Sequence, residues 1–243
     1  MAALNGRIVL VTGGVRGIGQ AIVRELVAEN ARVSIQYNTG DIEAQAISDD
    51  LHSRGGDIHS VQSAITLPDQ SQTLIGQVAD YWGTIDSLVI NPGFDHDDTG
   101  NTDWSTIIDR GLNCVYYLLD AILPVMTDHR YGRIVIIGPP RSVTGDPGSS
   151  HYAVVLGGLE ALVNTLAPEL SHYNITINLL SAGGDNPGRL TRTELPSLQQ
   201  LLTKLPSGYF ATPDEIARTV RFLVAEGEHI TGQQLTINGV NAS

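Results

Sequence analysis

The strongest constraint on the fold is a regular alternation between short apolar runs and longer amphipathic segments, which continues along the whole chain. The run "RIVLVT" at 7–12 is rich in β-branched residues and is typical of a buried strand. It is followed by "GIGQAIVRELVAEN" at 17–30, where apolar residues recur with helical spacing. Strands and helices that alternate in this way predict βαβ units and a parallel sheet covered on both faces.

The alternation predicts a single doubly wound Rossmann-type α/β domain over residues 1–243, with about seven strands and with helices on both faces of the parallel sheet. The stretch 183–212 is rich in proline and glycine, and we interpret it as a lid over the site and not as a domain boundary. The predicted strands are 7–12, 32–37, 58–64, 86–91, 132–138, 175–181 and 233–239, and the predicted helices are 17–30, 41–55, 68–82, 104–129, 150–172 and 213–226.

Charge and composition exclude several classes of protein. The 243 residues carry a net charge of −12 without a basic cluster, which argues against nucleic acid and anionic membranes as partners. No apolar run approaches the roughly 20 residues of a membrane span, and the N-terminus lacks the basic segment of a signal peptide. We therefore expect a cytoplasmic protein, in keeping with its single cysteine, Cys114. Thirteen of the 14 basic residues are arginine, so Lys204 is the one candidate for chemistry that needs a lysine amine.

A glycine-rich loop joins the first predicted strand to the first predicted helix. Gly13, Gly17 and Gly19 have a GxxxGxG spacing. Glycine at these positions permits positive φ angles and lets backbone N–H groups approach a pyrophosphate at the helix N-terminus. Because the loop directly follows the first strand, it predicts a dinucleotide site, and a tight turn kept for packing is the alternative.

Motifs along essentially the whole chain resemble the short-chain dehydrogenase/reductase superfamily, most closely its 3-oxoacyl-ACP reductase-like branch. The segment "TGGVRGIG" is similar to the family's TGxxxGIG, and "LVINPG" stands where LVNNAG is usual. The segment "GRIVIIGPP" stands where the family has GRIVNISS, and "HYAVVLGG" stands where it has NYxxSKaG. Near the end of the chain, "ITGQQLTING" stands where the family has YxTGxxxxvdGG. The resemblance implies a Rossmann fold, a nicotinamide dinucleotide and a catalytic tetrad of Asn, Ser, Tyr and Lys.

Local charges indicate which dinucleotide the resemblance implies. NAD-preferring members of the family have an acidic residue at the end of the second strand, where this chain has Tyr37 and Asn38. Arg16 lies within the glycine loop and is predicted to pair with a 2′-phosphate, so we expect NADP(H); the alternative is a solvated loop arginine. Binding is expected to be weak, because Ala64 and Leu156 replace two of the family's anchors. The predicted cofactor-binding residues are Gly13, Arg16, Gly17, Ile18, Gly19, Tyr37, Asn91 and Gly93.

The catalytic tetrad that the resemblance implies is matched at one position. Tyr152 is retained, whereas Pro139 stands at the serine position, Gly111 at the asparagine position and Leu156 at the lysine position, with Asn113 near Gly111. A tyrosine without a neighbouring cation is a poor base at neutral pH, since its reference pKa is about 10, although it still donates a hydrogen bond. We therefore expect very little carbonyl reduction by the family mechanism.

Polar side chains at the predicted carboxyl ends of the strands suggest a rebuilt site. The predicted catalytic residues are Tyr152, His151 and Arg141, with His151 as a base and with Tyr152 or Arg141 as a donor to an oxyanion. His96 is an alternative base, and the acidic stretch around it matches no metal-ligand spacing, so no metal is expected. Each of these side chains has a plainer alternative as a solvated loop residue. Further polar residues at this end are Asp95, Asp97, Asp98, Ser142 and Asp185.

Three functions follow from these observations. The favoured one is a small-molecule enzyme with non-redox acid–base chemistry, of isomerase, lyase or cyclase type, although whether the chain is an enzyme at all is left open. The alternatives are a non-catalytic partner subunit of an active reductase and an atypical NADPH-dependent ketoreductase. The helices at 104–129 and 150–172 are apolar on more than one side. In the family that the chain resembles, these helices form a subunit interface, which implies a homodimer, a homotetramer or a hetero-oligomer with a paralogous reductase.

Overall fold

A seven-stranded parallel sheet forms the centre of the molecule, with the strand order β3-β2-β1-β4-β5-β6-β7. The computed structural model describes residues 4–92, 103–139, 150–182, 207, 209 and 211–237. The predicted doubly wound Rossmann-type sheet is confirmed. The strands are β1 (Ile8–Thr12), β2 (Arg32–Tyr37), β3 (Ile58–Gln62), β4 (Ser87–Ile90), β5 (Gly132–Gly138), β6 (Ile175–Ala182) and β7 (Gln234–Ile237).

The described helices pack in two layers, one on each face of the sheet. Each layer closes a separate apolar core, and the central strands contribute alternate side chains to both. One layer contains α3, α4, α5 and α6, and the other contains α1, α2 and α7. The helices are α1 (Gly17–Ala28), α2 (Asp41–Ser53), α3 (Pro68–Trp82), α4 (Trp104–Ile108), α5 (Cys114–His129), α6 (Ser150–Ser171) and α7 (Pro213–Ala225).

A π-helical turn at Asp109–Asn113 interrupts the long helix predicted over 104–129. The turn separates α4 from α5 and contains the buried Gly111. Single π-turns inside α-helices are often found at functional sites. Here the turn lies at the position that the resemblance assigns to the catalytic asparagine.

Helix α6 has 22 residues and is apolar enough, by length and composition, to cross a membrane. Its buried side chains, which include Val155, Leu159 and Val163, pack in the same apolar core as α3 and α5. This packing is that of a core helix against the sheet.

The strand order reverses between β1 and β4, which places two loops next to each other. The glycine loop follows β1 at Thr12, and the segment that begins at Asn91 follows β4. Ligands of open α/β sheets bind in the crevice at such a reversal, outside the carboxyl ends of the strands. The fold therefore directs attention to this edge of the sheet. The predicted lid at 183–212 falls almost wholly outside the described residues.

Candidate functional site

The glycine loop has a conformation that larger side chains would block. Gly13 has a φ of +60°, and a Cβ added to it would lie 2.7 Å from the carbonyl oxygen of Asn91. A Cβ on Gly19 would lie 2.1 Å from the carbonyl oxygen of Gly13. Both glycines are therefore required by close approach to backbone of the protein itself, a requirement shared by a dinucleotide-binding loop and by a tight turn kept for packing.

The peptide groups of Gly13 are fixed on both sides by side chains of neighbouring strands. Its N–H donates to Oε1 of Gln36 at 3.0 Å, and its carbonyl accepts from Nδ2 of Asn91 at 3.2 Å. The Gln36 amide nitrogen donates in turn to the carbonyl of Ser63 at 2.5 Å. The backbone N–H of Asn91 donates to Oγ1 of Thr12 at 2.9 Å. Asn91, predicted to bind cofactor, thus holds the shape of the loop.

Helix α1 begins without a capping side chain. Arg16 is its N-cap residue in an extended conformation and makes no side-chain cap hydrogen bond, and the first turn has no acidic residue. By contrast, α7 begins with a capping box formed by Thr212 and Glu215. The first N–H groups of α1 and the positive end of its dipole therefore remain for an anionic ligand, which is how helix N-termini bind pyrophosphate.

Arg16, predicted to bind a 2′-phosphate, contacts a carboxylate in this structure. Its Nη2 lies 2.6 Å and its Nε 3.0 Å from Oε1 of Glu43, at the start of α2. The Arg16 guanidinium holds the pKa of the Glu43 carboxyl below its usual range. Arg16 is therefore part of an exposed ion pair, and both its predicted role towards a 2′-phosphate and the alternative of a solvated loop arginine stay predictions.

The other predicted cofactor-binding residues line the same edge of the sheet. Gly17 has a φ of +53° and starts α1. Ile18 and Tyr37 are partly buried against the core beneath α1 and α2. The backbone carbonyl of Tyr37 accepts from Ser63, which ties the end of β2 to the exit of β3. Gly93 lies outside the described residues.

At the catalytic end, the first turns of α6 bring together one polar pair and an apolar side chain. The rings of His151 and Tyr152 are 4.4 Å apart between centroids. Tyr152 is 6% exposed and belongs to the apolar core, together with Leu156, which is 2% exposed. The position that the resemblance assigns to lysine is therefore apolar in identity and in surroundings.

Pro139 and Gly111 stand at the two other positions that the resemblance assigns to the tetrad. Pro139 is buried directly after β5, and its carbonyl accepts a hydrogen bond of 2.6 Å from Oγ of the buried Ser181. Gly111 is buried in the π-turn and provides no side-chain donor. The nearby Asn113 donates from Nδ2 to the Asp109 carboxylate at 2.7 Å. These hydrogen bonds fix the backbone of the site, and the polar groups that make them are engaged within the protein.

Several predicted polar residues lie outside the described part of the chain, so their placement is not given. Among the described residues, no group of three or more His, Cys, Asp or Glu side chains is arranged to hold a metal ion. The predicted residues outside are Arg141, Asp95, His96, Asp97, Asp98, Ser142, Asp185 and Lys204.

The structure adds two residues that sequence reasoning missed. Gln36 supports the glycine loop, and Glu43 engages Arg16. A polar residue inside the apolar strand "RVSIQY" was a signal for Gln36, because a buried amide needs partners. Glu43 gave no comparable signal, since an acid in the first turn of a helix is common.

Comparisons with known proteins agree with this geometry. A family model described as enoyl-(acyl carrier protein) reductase matches residues 13–239. The 3-oxoacyl-[acyl-carrier-protein] reductase FabG of Escherichia coli K12 is 33% identical over 240 residues, which cover 97% of each chain. The 3-oxoacyl-[acyl-carrier-protein] reductase of Synechocystis is 30% identical over 247 residues, which cover 98% of each chain.

A solved structure is also similar over the whole chain. It is described as a blue fluorescent protein from a metagenomic library in complex with NADPH, and the two folds superpose with a TM-score of 0.86. The sequences are 27% identical, and the match covers 99% of this chain and 100% of the other. The chain therefore belongs to the short-chain dehydrogenase/reductase superfamily, in its 3-oxoacyl-ACP reductase-like branch.

Proposed function

We propose that this chain binds NADP(H) at its glycine loop and that its pocket performs non-redox acid–base chemistry on a small molecule. The class of reaction is isomerisation, elimination or ring closure. The observation that carries this proposal is Leu156, a buried apolar residue one helical turn after Tyr152, where the family has lysine.

The residues at the cofactor end fit a dinucleotide. Gly13 and Gly19 let the loop pack closely on itself and on Asn91, and the N-terminus of α1 has no capping side chain. The similar solved structure is described as an NADPH complex, which supports the same ligand here. A bound NADPH would carry a hydride that the proposed non-redox reaction does not use. Gly17 and the start of α1 would hold its pyrophosphate through backbone N–H groups.

The residues at the catalytic end support hydrogen bonding more than proton relay. Without a cation at position 156, a tyrosine in the place of Tyr152 acts as a donor to negative charge that develops on a substrate oxygen. His151 is in ring contact with Tyr152 and is the residue that we propose as the base. Together they provide one donor and one base, which are the parts that an isomerase or lyase needs.

The test is an assay of the purified chain with NADPH and with 3-oxoacyl thioesters and simple ketones, followed at 340 nm. We expect NADPH to bind in calorimetry and NADPH oxidation to stay far below the common enzyme range of about 1–1000 per second. Turnover within that range would overturn the non-redox proposal. An absence of heat at millimolar NADPH would overturn the cofactor proposal.

An atypical NADPH-dependent ketoreductase is the second candidate, because the curated relatives are 3-oxoacyl-[acyl-carrier-protein] reductases. If the assay finds turnover, Tyr152→Phe distinguishes a site built on this residue from one built elsewhere. Loss of its hydroxyl should lower the rate by about 100-fold or more, since one positioned donor is worth roughly that factor. An unchanged rate would remove Tyr152 from the mechanism.

We also propose that the α4–α6 layer joins this chain to a second copy of itself. Three large apolar side chains on these helices, Trp104, Tyr116 and Val154, are 47–56% exposed. Burying such side chains is favourable by about 25 cal/mol per Å² of apolar surface, which supports association through this layer. A paralogous reductase is the alternative occupant, and in that case the chain would serve as a supporting subunit.

A further inference from the structure

The Arg16–Glu43 ion pair lies within the loop that would hold the dinucleotide. Arg16 follows Gly13 by three residues and is the N-cap of α1, while Glu43 lies in the first turn of α2. Both side chains are about half exposed, so a ligand can reach them. The pair therefore connects the start of the two helices that follow β1 and β2.

A glycine lies beneath the ion pair, and because it has no side chain it leaves the space that the pair occupies. Gly40, the N-cap residue of α2, has a φ of +104°. A Cβ on Gly40 would lie 3.0 Å from Nη2 of Arg16 and 3.2 Å from Oε2 of Glu43. The guanidinium and carboxylate thus pack directly on the backbone at the exit of β2, where the family's dinucleotide preference is set.

The two charges of the pair have opposite effects on an anionic group of the ligand: one attracts it and the other repels it. The Arg16 guanidinium attracts a phosphate, but two of its N–H groups already donate to Glu43. The Glu43 carboxylate carries a negative charge, as an exposed glutamate does at neutral pH, and it repels a phosphate. A ribose hydroxyl carries no charge and does not compete for Arg16.

We propose that Glu43 is a specificity-determining residue that weakens the preference of this chain for NADP(H) over NAD(H), by competing with the 2′-phosphate for Arg16. The inference rests on the proposed dinucleotide binding and adds to it. It also accounts for an arginine in the glycine loop that already uses two of its N–H donors on Glu43.

The experiment measures Kd for NADPH and for NADH by calorimetry with the full chain, its Glu43→Gln variant and a matched control. Glu43→Gln should strengthen NADPH binding by about two- to fivefold, the size expected when an exposed ion pair is removed. NADH binding should change by less than about twofold, because its ribose hydroxyl is neutral.

Asp50→Asn is the control, because it removes one carboxylate from the same helix and breaks the pairs with Arg24 and Arg54. It should leave the ratio of the two Kd values unchanged. The double variant Arg16→Gln, Glu43→Gln should lose the gain for NADPH, which shows that Glu43 acts through Arg16.

The outcomes separate this inference from the proposed function. If both dinucleotides bind and Glu43→Gln leaves their ratio unchanged, the inference is wrong and the cofactor proposal stands. A gain that Asp50→Asn or the double variant shares would reduce Glu43 to a general charge effect and would overturn its specific role. If neither dinucleotide binds to any variant, both proposals are wrong.

Discussion

At the scale of single residues, Gln36 joins the glycine loop to two strands. Replacing it by methionine keeps its approximate volume but removes the partners of the Gly13 N–H and the Ser63 carbonyl. A buried backbone group left without a partner costs about 1–3 kcal/mol. We expect Gln36→Met to lower the free energy of unfolding by about 2 kcal/mol, measured by urea denaturation.

The control for this change is Gln62→Met on the neighbouring strand. Gln62 is exposed and makes one long hydrogen bond of 3.3 Å to the carbonyl of Asn38. Its replacement should change the free energy of unfolding by less than about 0.5 kcal/mol. Equal losses for the two variants would show that Gln36 has no special role in the loop.

The single cysteine gives a second prediction at this scale. Burial, assisted by the nearby Asp109 carboxylate, raises the pKa of the Cys114 thiol to about 12. At pH 8 the folded protein should therefore hold about a thousandfold less thiolate than an unfolded chain with a thiol pKa of about 8.5. We expect almost no reaction with Ellman's reagent in buffer and full reaction in 6 M guanidinium, as the thionitrobenzoate absorbance would report.

The same shift determines how this thiol affects stability as the pH changes. The folded pKa lies above the unfolded one, so the unfolded state loses its proton first as the pH rises. The contribution of Cys114 is complete below about pH 8.5 and declines as the pH rises towards 12. Rapid labelling of the folded protein at pH 8 would contradict this placement of the side chain.

Residue roles that depend on local sterics were predictable, and those that depend on distant partners were not. Gly13 and Gly19 follow from their place between a strand and a helix. Gln36 contacts Gly13 across 23 positions of sequence, and Glu43 contacts Arg16 across 27. Such contacts arise from the crossover geometry of the sheet, which the spacing of residue types does not specify.

At the scale of elements, the start of α1 has no stabilising cap, which leaves its first N–H groups for the proposed ligand. Serine is a strong N-cap residue, and Arg16 already has the extended backbone that an N-cap needs. Compared with Arg16→Ala, which loses the same ion pair, Arg16→Ser should raise the free energy of unfolding by about 1 kcal/mol. Urea denaturation of the two variants measures this difference. Identical unfolding midpoints would show that α1 gains nothing from a cap.

Element boundaries were predictable where apolar spacing and chain punctuation agree. The observed β2, α3 and β5 begin and end at the predicted residues, since each has Asn, Gly or Pro near both of its ends. The π-turn at Asp109–Asn113 was not predicted. The segments on both sides of the turn are apolar on more than one side, so the one-position displacement that it causes is not visible in the sequence spacing.

At the scale of the whole molecule, the order of the strands in the sheet follows from the rules of chain connection, whereas the association of one chain with another does not. Right-handed crossovers lead from alternating strands and helices to the observed order with its reversal between β1 and β4. Exposed apolar residues occur singly on most proteins, so Tyr116 and Val154 do not by themselves identify an interface from sequence. Their exposure on two long helices of the same layer is what the structure adds.

Association through the α4–α6 layer is tested by placing a charge in it. Val154→Glu and Tyr116→Glu should each convert the assembly to single chains of 26.0 kDa, because an unpaired carboxylate buried in an apolar interface is strongly unfavourable. Ile42→Glu on α2 is the matched control, since Ile42 is even more exposed but lies in the other layer. Light scattering after size-exclusion chromatography gives the masses. If the wild-type chain is already monomeric, or if Ile42→Glu dissociates it as well, this layer is not the interface.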